Sequence, residues 1–126
     1  TERSLFAGID AARANRYVND IGRAVEGTIS NYGFSVVRAF VGHGCGCELH
    51  EPPEIPNFAD SQRGPRLKPG MVLAIEPMVN IGSQDVKVDA DGWTARTADQ
   101  SLSAHFEHMV LVTNDKPEVL TWRKTA

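Results

Sequence analysis

Met71-Val72-Leu73-Ala74-Ile75-Glu76-Pro77-Met78-Val79 is an apolar run with a single carboxylate set into it. A run of this length, flanked by Pro69-Gly70 and later turn residues, reads as a largely buried strand. Glu76 is then the anomaly. An ionised carboxylate taken out of water costs several kcal/mol unless it is paired or coordinates a cation. The rival reading is an edge strand whose Glu76 faces solvent, and Pro77 suits an edge or a strand end.

The same tension recurs downstream in Leu102-Ser103-Ala104-His105-Phe106-Glu107-His108-Met109-Val110-Leu111-Val112. Strand alternation places Ser103, His105, Glu107 and Met109 on one face, and Leu102, Ala104, Phe106, His108 and Val110 on the other. An imidazole and a carboxylate therefore point the same way, although an ordinary charged surface would look similar. The segment from Leu102 to Thr113 is the longest strand candidate, and a short one follows over Val119 to Trp122.

Working back toward the amino terminus, residues 51 to 70 hold Pro52, Pro53, Pro56, Pro65 and Pro69 and read as an extended surface loop. Before it stands Gly42-His43-Gly44-Cys45-Gly46-Cys47-Glu48-Leu49-His50, at the end of a strand that begins at Phe34. Glycines on both sides of His43 let backbone approach a ligand closely, and an imidazole at a strand end is a common metal ligand. A lone His between glycines is more often structural. His50, seven residues on, and the two strand-borne glutamates move the balance toward a site. Helical spacing marks residues 2 to 14, through Leu5, Phe6, Ile9 and Ala12, and residues 19 to 32, through Ile21, Val25, Thr28 and Ile29. Asn19 or Asp20 can cap the second helix and Gly33 stops it. Asp91-Gly92 turns a hairpin between Val86 to Val88 and Trp93 to Thr97. Two helices followed by a mostly antiparallel sheet make an α+β layer arrangement.

Composition narrows the function classes. The chain has 126 residues, 41% of them hydrophobic, which is enough for one domain with a core. Its 13 Lys and Arg against 16 Asp and Glu give a net charge of −3, which argues against direct nucleic-acid binding. No apolar run reaches the roughly 18 residues that span a bilayer, so a cytoplasmic protein without a membrane partner is expected. Cys45 and Cys47 are too close for an unstrained mutual disulfide and are expected as reduced thiols. A metal-binding role for that pair is the lesser reading beside small buried side chains. The start at Thr1, entering a helix without a convincing cap, suggests a chain trimmed upstream.

Four stretches together, in order and at the right spacing, resemble the type I methionine aminopeptidases of metallopeptidase family M24. They are Gly42-His43-Gly44 through His50-Glu51-Pro52-Pro53-Glu54-Ile55-Pro56-Asn57, Leu67-Lys68-Pro69-Gly70-Met71 through Met78, Asp91-Gly92-Trp93-Thr94, and Ser101-Leu102-Ser103-Ala104-His105-Phe106-Glu107-His108. Single motifs recur in aminopeptidase P and prolidase, but the combination is narrower. The short connection from His50 to Glu76 is unlike the type II enzymes.

The resemblance implies a pita-bread fold in which two similar halves enclose a dinuclear metal site, with residues 1–126 as the carboxy-terminal half. It implies His43, Glu76 and Glu107 as metal ligands, Glu107 bridging the two ions. His50 becomes the catalytic contact near the scissile amide, and Leu49, Trp93 and His105 further substrate contacts. The remaining ligands, two aspartates, and one more catalytic histidine belong to the missing amino-terminal half. Two divalent ions (Co, Mn, Fe, Ni or Zn) are expected in the complete, monomeric enzyme, where they activate water and polarise the substrate carbonyl. At most one weakly bound ion is expected in this chain. The implied activity is removal of the initiator methionine from nascent peptides beginning with Met, with this half inactive alone and prone to self-association. A metal-free binding module of the same shape and a prolidase-like peptidase are the alternatives. Departures from the family pattern are Cys45 for an aliphatic residue, His105 for a frequent Gln and Met109 for a frequent Thr.

Overall fold

The computed structural model describes residues 1–123. Two helices come first, α1 at Glu2–Ala11 and α2 at Val18–Ser30. α1 stops three residues short of the stretch its apolar spacing marks, because the backbone turns at Ala12 while Ala12 itself remains buried in the core. The helices pack closely at Gly8, where a Cβ would lie 2.8 Å from the Val25 side chain. Val18, Ile21, Val25 and Ile29 line the buried stripe of α2. Asp20 does serve its amino-terminal end, from the third helical position, by accepting the Tyr17 N–H at 2.9 Å. Asn19 instead exchanges two hydrogen bonds with the backbone of Asp60, both 2.8 Å, and so ties the 59–61 loop to the helix. Gly33, at φ +71°, ends the helical segment as expected.

Ten strands follow: β1 Ser35–Val36, β2 Gly42–Cys45, β3 Glu51–Ile55, β4 Val72–Ile75, β5 Met78–Asn80, β6 Val86–Val88, β7 Ala95–Thr97, β8 Ser103–His105, β9 His108–Leu111 and β10 Glu118–Val119. They form an antiparallel five-stranded sheet in the order β10-β9-β4-β2-β3, a three-stranded sheet β1-β5-β8 and the hairpin β6-β7. The proline-rich stretch is therefore partly strand. β3 runs through Pro52 and Pro53 along the edge of the larger sheet, where a missing N–H leaves no ladder bond unmade on the outer side. The strand expected from Phe34 to the glycines is two strands, β1 and β2, in different sheets.

The two long strand candidates are also broken, and they break at matching places. Residues 71–79 pass from the five-stranded sheet as β4 to the three-stranded sheet as β5, with Glu76 and Pro77 between them. Residues 102–113 pass the opposite way from β8 to β9, with Phe106 and Glu107 between. The partners on either side are Ile75 with His108 and Met78 with His105. Each sheet thus lends one end to a shared crease, and both glutamates lie on it.

The core lies between the helices and the larger sheet: Leu5, Ile9, Val18, Ile21, Ile55, Leu67, Leu73, Ile75, Val110 and Val112 are buried together. Ile29, Val36 and Val79 form a smaller cluster beside the second sheet.

Candidate metal centre

β2 is held tightly on both flanks. A Cβ on Gly42 would stand 2.1 Å from the Ala74 carbonyl oxygen, and one on Gly44 would stand 2.5 Å from that of Pro52. The glycines around His43 thus serve neighbouring strands, which press against them from either side. The close approach expected there was to a ligand; the groups that press on these glycines are the backbones of β3 and β4. A register shift between His43 and Gly44 in the β2-β3 pairing marks the same spot.

His43 is oriented by its own backbone neighbour. Its Nδ1 lies 2.9 Å from the Gly44 carbonyl oxygen, which can only accept, so Nδ1 carries the proton. In the neutral ring Nε2 then presents a lone pair, and it faces Glu76 Oε1 at 3.5 Å. On the other side, His105 Nε2 faces Glu76 Oε2 at 3.6 Å. Neither separation is a normal hydrogen bond. Glu107 completes the group: donor atoms of Glu76, His105 and Glu107 all lie within 4.8 Å of one another.

Electrostatics at Glu76 follow from this setting. Burial raises its carboxyl pKa first, and the Glu107 charge raises it further, while His43, His105 and His50 pull it back down. Two carboxylates and two imidazoles facing one another across such gaps repel unless a proton or a cation lies among them. Donors about 2.0–2.2 Å from one ion stand roughly 3 to 3.5 Å apart, close to the distances seen here. The set is carboxylate and imidazole oxygen and nitrogen, which fits a divalent transition metal. Orientation of His43 through Nδ1 is the outer-shell arrangement usual for a ligating histidine.

The remaining residues singled out in the sequence lie around this group with differing intimacy. The His50 ring is 4.2 Å from that of His43, centroid to centroid, on the exposed turn between β2 and β3. Leu49, 72% exposed, edges an open cleft shared with Cys45, Cys47, Val72, Met109 and Leu120. Trp93 is 89% exposed on the β6-β7 turn, its backbone N–H donating to the Asp91 carboxylate at 2.9 Å. Sequence reasoning placed Cys45 and Cys47 as small buried side chains. Cys47 is in fact exposed, and half-buried Cys45 has its Sγ 3.6 Å from His43 Nδ1, at the margin of the site. Burial, then the charges of Glu107, Glu51 and Glu76, raise the Cys45 thiol pKa, despite an opposing hydrogen bond with the Ala74 backbone. Alternation along β2 puts residues 43 and 45 on one face, a signal that was present in the sequence.

A model of metallopeptidase family M24 matches residues 1–114. The chain belongs to that family. Among curated M24 relatives, it is 53% identical to a methionine aminopeptidase of Clostridium perfringens over 96% of its own length and 49% of that protein's. It is 50% identical to methionine aminopeptidase 1 of Bacillus subtilis, with the same coverage. Among solved structures, methionine aminopeptidase from Thermotoga maritima superposes with a TM-score of 0.93 at 44% identity, covering 98% of this chain and 49% of that one. A prolidase from Pyrococcus furiosus, at TM-score 0.69 and 23% identity, shares the fold. Two helices backed by antiparallel sheets thus match the pita-bread M24 structures over part of their length. This M24 chain spans about half the length of the curated relatives it matches.

Proposed function

We propose that this chain is the carboxy-terminal half of a metal-dependent methionine aminopeptidase, which removes the initiator methionine from nascent peptides in the cytoplasm. The observation that carries the reading is Glu76 at the crease between the two sheets, 3.5 Å from His43 and in one group of donors with His105 and Glu107, in a chain 53% identical to a methionine aminopeptidase. His43, Glu76 and Glu107 would hold divalent metal. When bound, such ions polarise the scissile carbonyl and supply activated water.

The chain's own side chains do the rest. His50, beside His43 and open to solvent, is placed to hydrogen-bond the substrate amide. Leu49 and Cys45 offer apolar surface to a methionine side chain at the neighbouring cleft. Trp93, exposed on the β6-β7 turn, is a further apolar surface for the substrate. The other half supplies the remaining ligands, and the assembled enzyme works as a monomer.

The test is methionine release from Met-Ala peptides, with Mn, Co or Fe present, after this chain is mixed with or fused to an amino-terminal half. X-Pro peptides run in parallel test prolidase activity, which the shared fold alone would permit. Release of methionine only is expected. A complete pair that stays inactive on Met-Ala, or that prefers X-Pro, contradicts the proposal, and a complete protein without stoichiometric metal would point to a binding module.

A further inference from the structure

We propose that His105 is a metal ligand, and that Glu76, His105 and Glu107 make a divalent transition-metal site complete within this chain. The inference rests on the metallopeptidase reading above but goes beyond it, since the family resemblance implies His105 only as a substrate contact and the proposed function leaves the remaining ligands to the other half.

The geometry starts with strand alternation. His105 is the last residue of β8 and Glu107 the residue before β9, so both project to the same side as the chain crosses the crease. Pairing of His105 with Met78 fixes its position one residue beyond the Glu76-Pro77 break on the neighbouring strand. The result is the 3.6 Å approach of His105 Nε2 to Glu76 Oε2. That distance is too long for a hydrogen bond and suits two donors sharing an ion.

The two oxygens of Glu76 are divided between two imidazoles, Oε1 toward His43 and Oε2 toward His105. With Glu107 within 4.8 Å of both Glu76 and His105, three donors of one ion are assembled from side chains of this chain only. His43 stands ready on the far oxygen. A glutamine at position 105 would offer an amide, a weak ligand. An imidazole there turns a pair of hard carboxylates toward zinc and cobalt and away from magnesium and calcium.

The experiment is a titration of the 126-residue chain with cobalt and with zinc chloride, followed by calorimetry and by the visible absorption of bound cobalt. Wild-type protein, His105→Gln and Glu76→Gln are compared, and circular dichroism confirms that each is folded. His105 is about 43% exposed at its side chain, so its replacement leaves the core intact. One ion per chain is expected for the wild type, with paramagnetically shifted His105 ring protons in the cobalt form. His105→Gln should weaken binding by about 10-fold or more and alter the cobalt spectrum, because a nitrogen donor is lost. An unchanged affinity and spectrum in His105→Gln overturns the proposal. If Glu76→Gln still abolishes binding in that case, the metallopeptidase reading survives it. Failure of the wild-type chain to bind either ion also overturns the proposal, and metal analysis of the two-half protein then judges the wider reading separately.

Discussion

Glu76 shows what one residue can reveal before a structure is known. A carboxylate in an apolar run demanded a partner, and the structure surrounds it with His43, His105 and Glu107. Pro77 already suggested a strand end beside Glu76, but the sequence could not say that the chain changes sheets there, because an apolar run looks the same whether or not it does. Its raised pKa has a direction that can be tested. A carboxyl whose folded pKa lies above its unfolded value adds stability below the unfolded pKa, near 4.5, and loses it as pH rises through the folded value. In metal-free protein, ionising Glu76 as the pH rises therefore costs stability. Glu76→Gln should raise the Tm of metal-free protein at pH 7 and leave it little changed at pH 4. Saturating metal should do the opposite, stabilising the wild type by about 2.7 kcal/mol at 100 times Kd and the variant hardly at all. Thermal melts at the two pH values, with and without chelator, check this.

Asp99 behaves in the reverse sense. N–H groups of Ser101 and Ser83 and the Ser101 hydroxyl hold its carboxyl down to about 2. Its contribution is present above the unfolded value of about 3.8 and disappears as pH falls through about 2. Asp99→Asn should thus lower the Tm at pH 7 while the difference from wild type shrinks toward pH 2. Equal differences at both pH values would contradict the assignment.

At the scale of elements, the helices and the β6-β7 hairpin were legible because their signals are local: apolar spacing, a turn pair, a stop glycine; the terminal strand, expected over Val119 to Trp122, lies instead at Glu118–Val119, where pairing with β9 sets it. The sheet was legible only in outline. Whether Phe34 through Cys45 is one strand or two, and whether Pro52-Pro53 lies in a loop or on an edge, depends on partners distant in the chain. The crease is the element that makes the site, since it stops both β4 and β8 at the positions where donors are needed. β2 reaches that crease only because Gly42 lets it lie against Ala74. Gly42→Ala puts a Cβ 2.1 Å from the Ala74 carbonyl oxygen, so either β2 or β4 must move. We expect a loss of about 1–3 kcal/mol in denaturant unfolding and at least a 10-fold weaker metal affinity as His43 is displaced. Unaltered affinity would mean that His43 is not positioned by this contact.

At the scale of the whole molecule, the proposed reading divides the enzyme between this chain and a second half. The chain's match to about half the length of its relatives leaves the donor cluster open on one side in the proposed reading. Phe34, Ile81 and Leu102, between 41% and 75% exposed, cluster with Val79 around one open cleft beside the smaller sheet. Exposed apolar surface and an unpaired sheet edge together favour association. Light scattering should show this chain self-associating at micromolar concentration, and the amino-terminal half should convert it to a one-to-one complex. A stable monomer indifferent to that half would contradict the proposed division of the enzyme.

The most direct measurement is anomalous diffraction from crystals of this chain equilibrated with cobalt. The account predicts a peak about 2.0–2.2 Å from donor atoms of Glu76, His105 and Glu107, with His43 turned toward it. A peak bound only by other residues, or none at saturating cobalt, would contradict it.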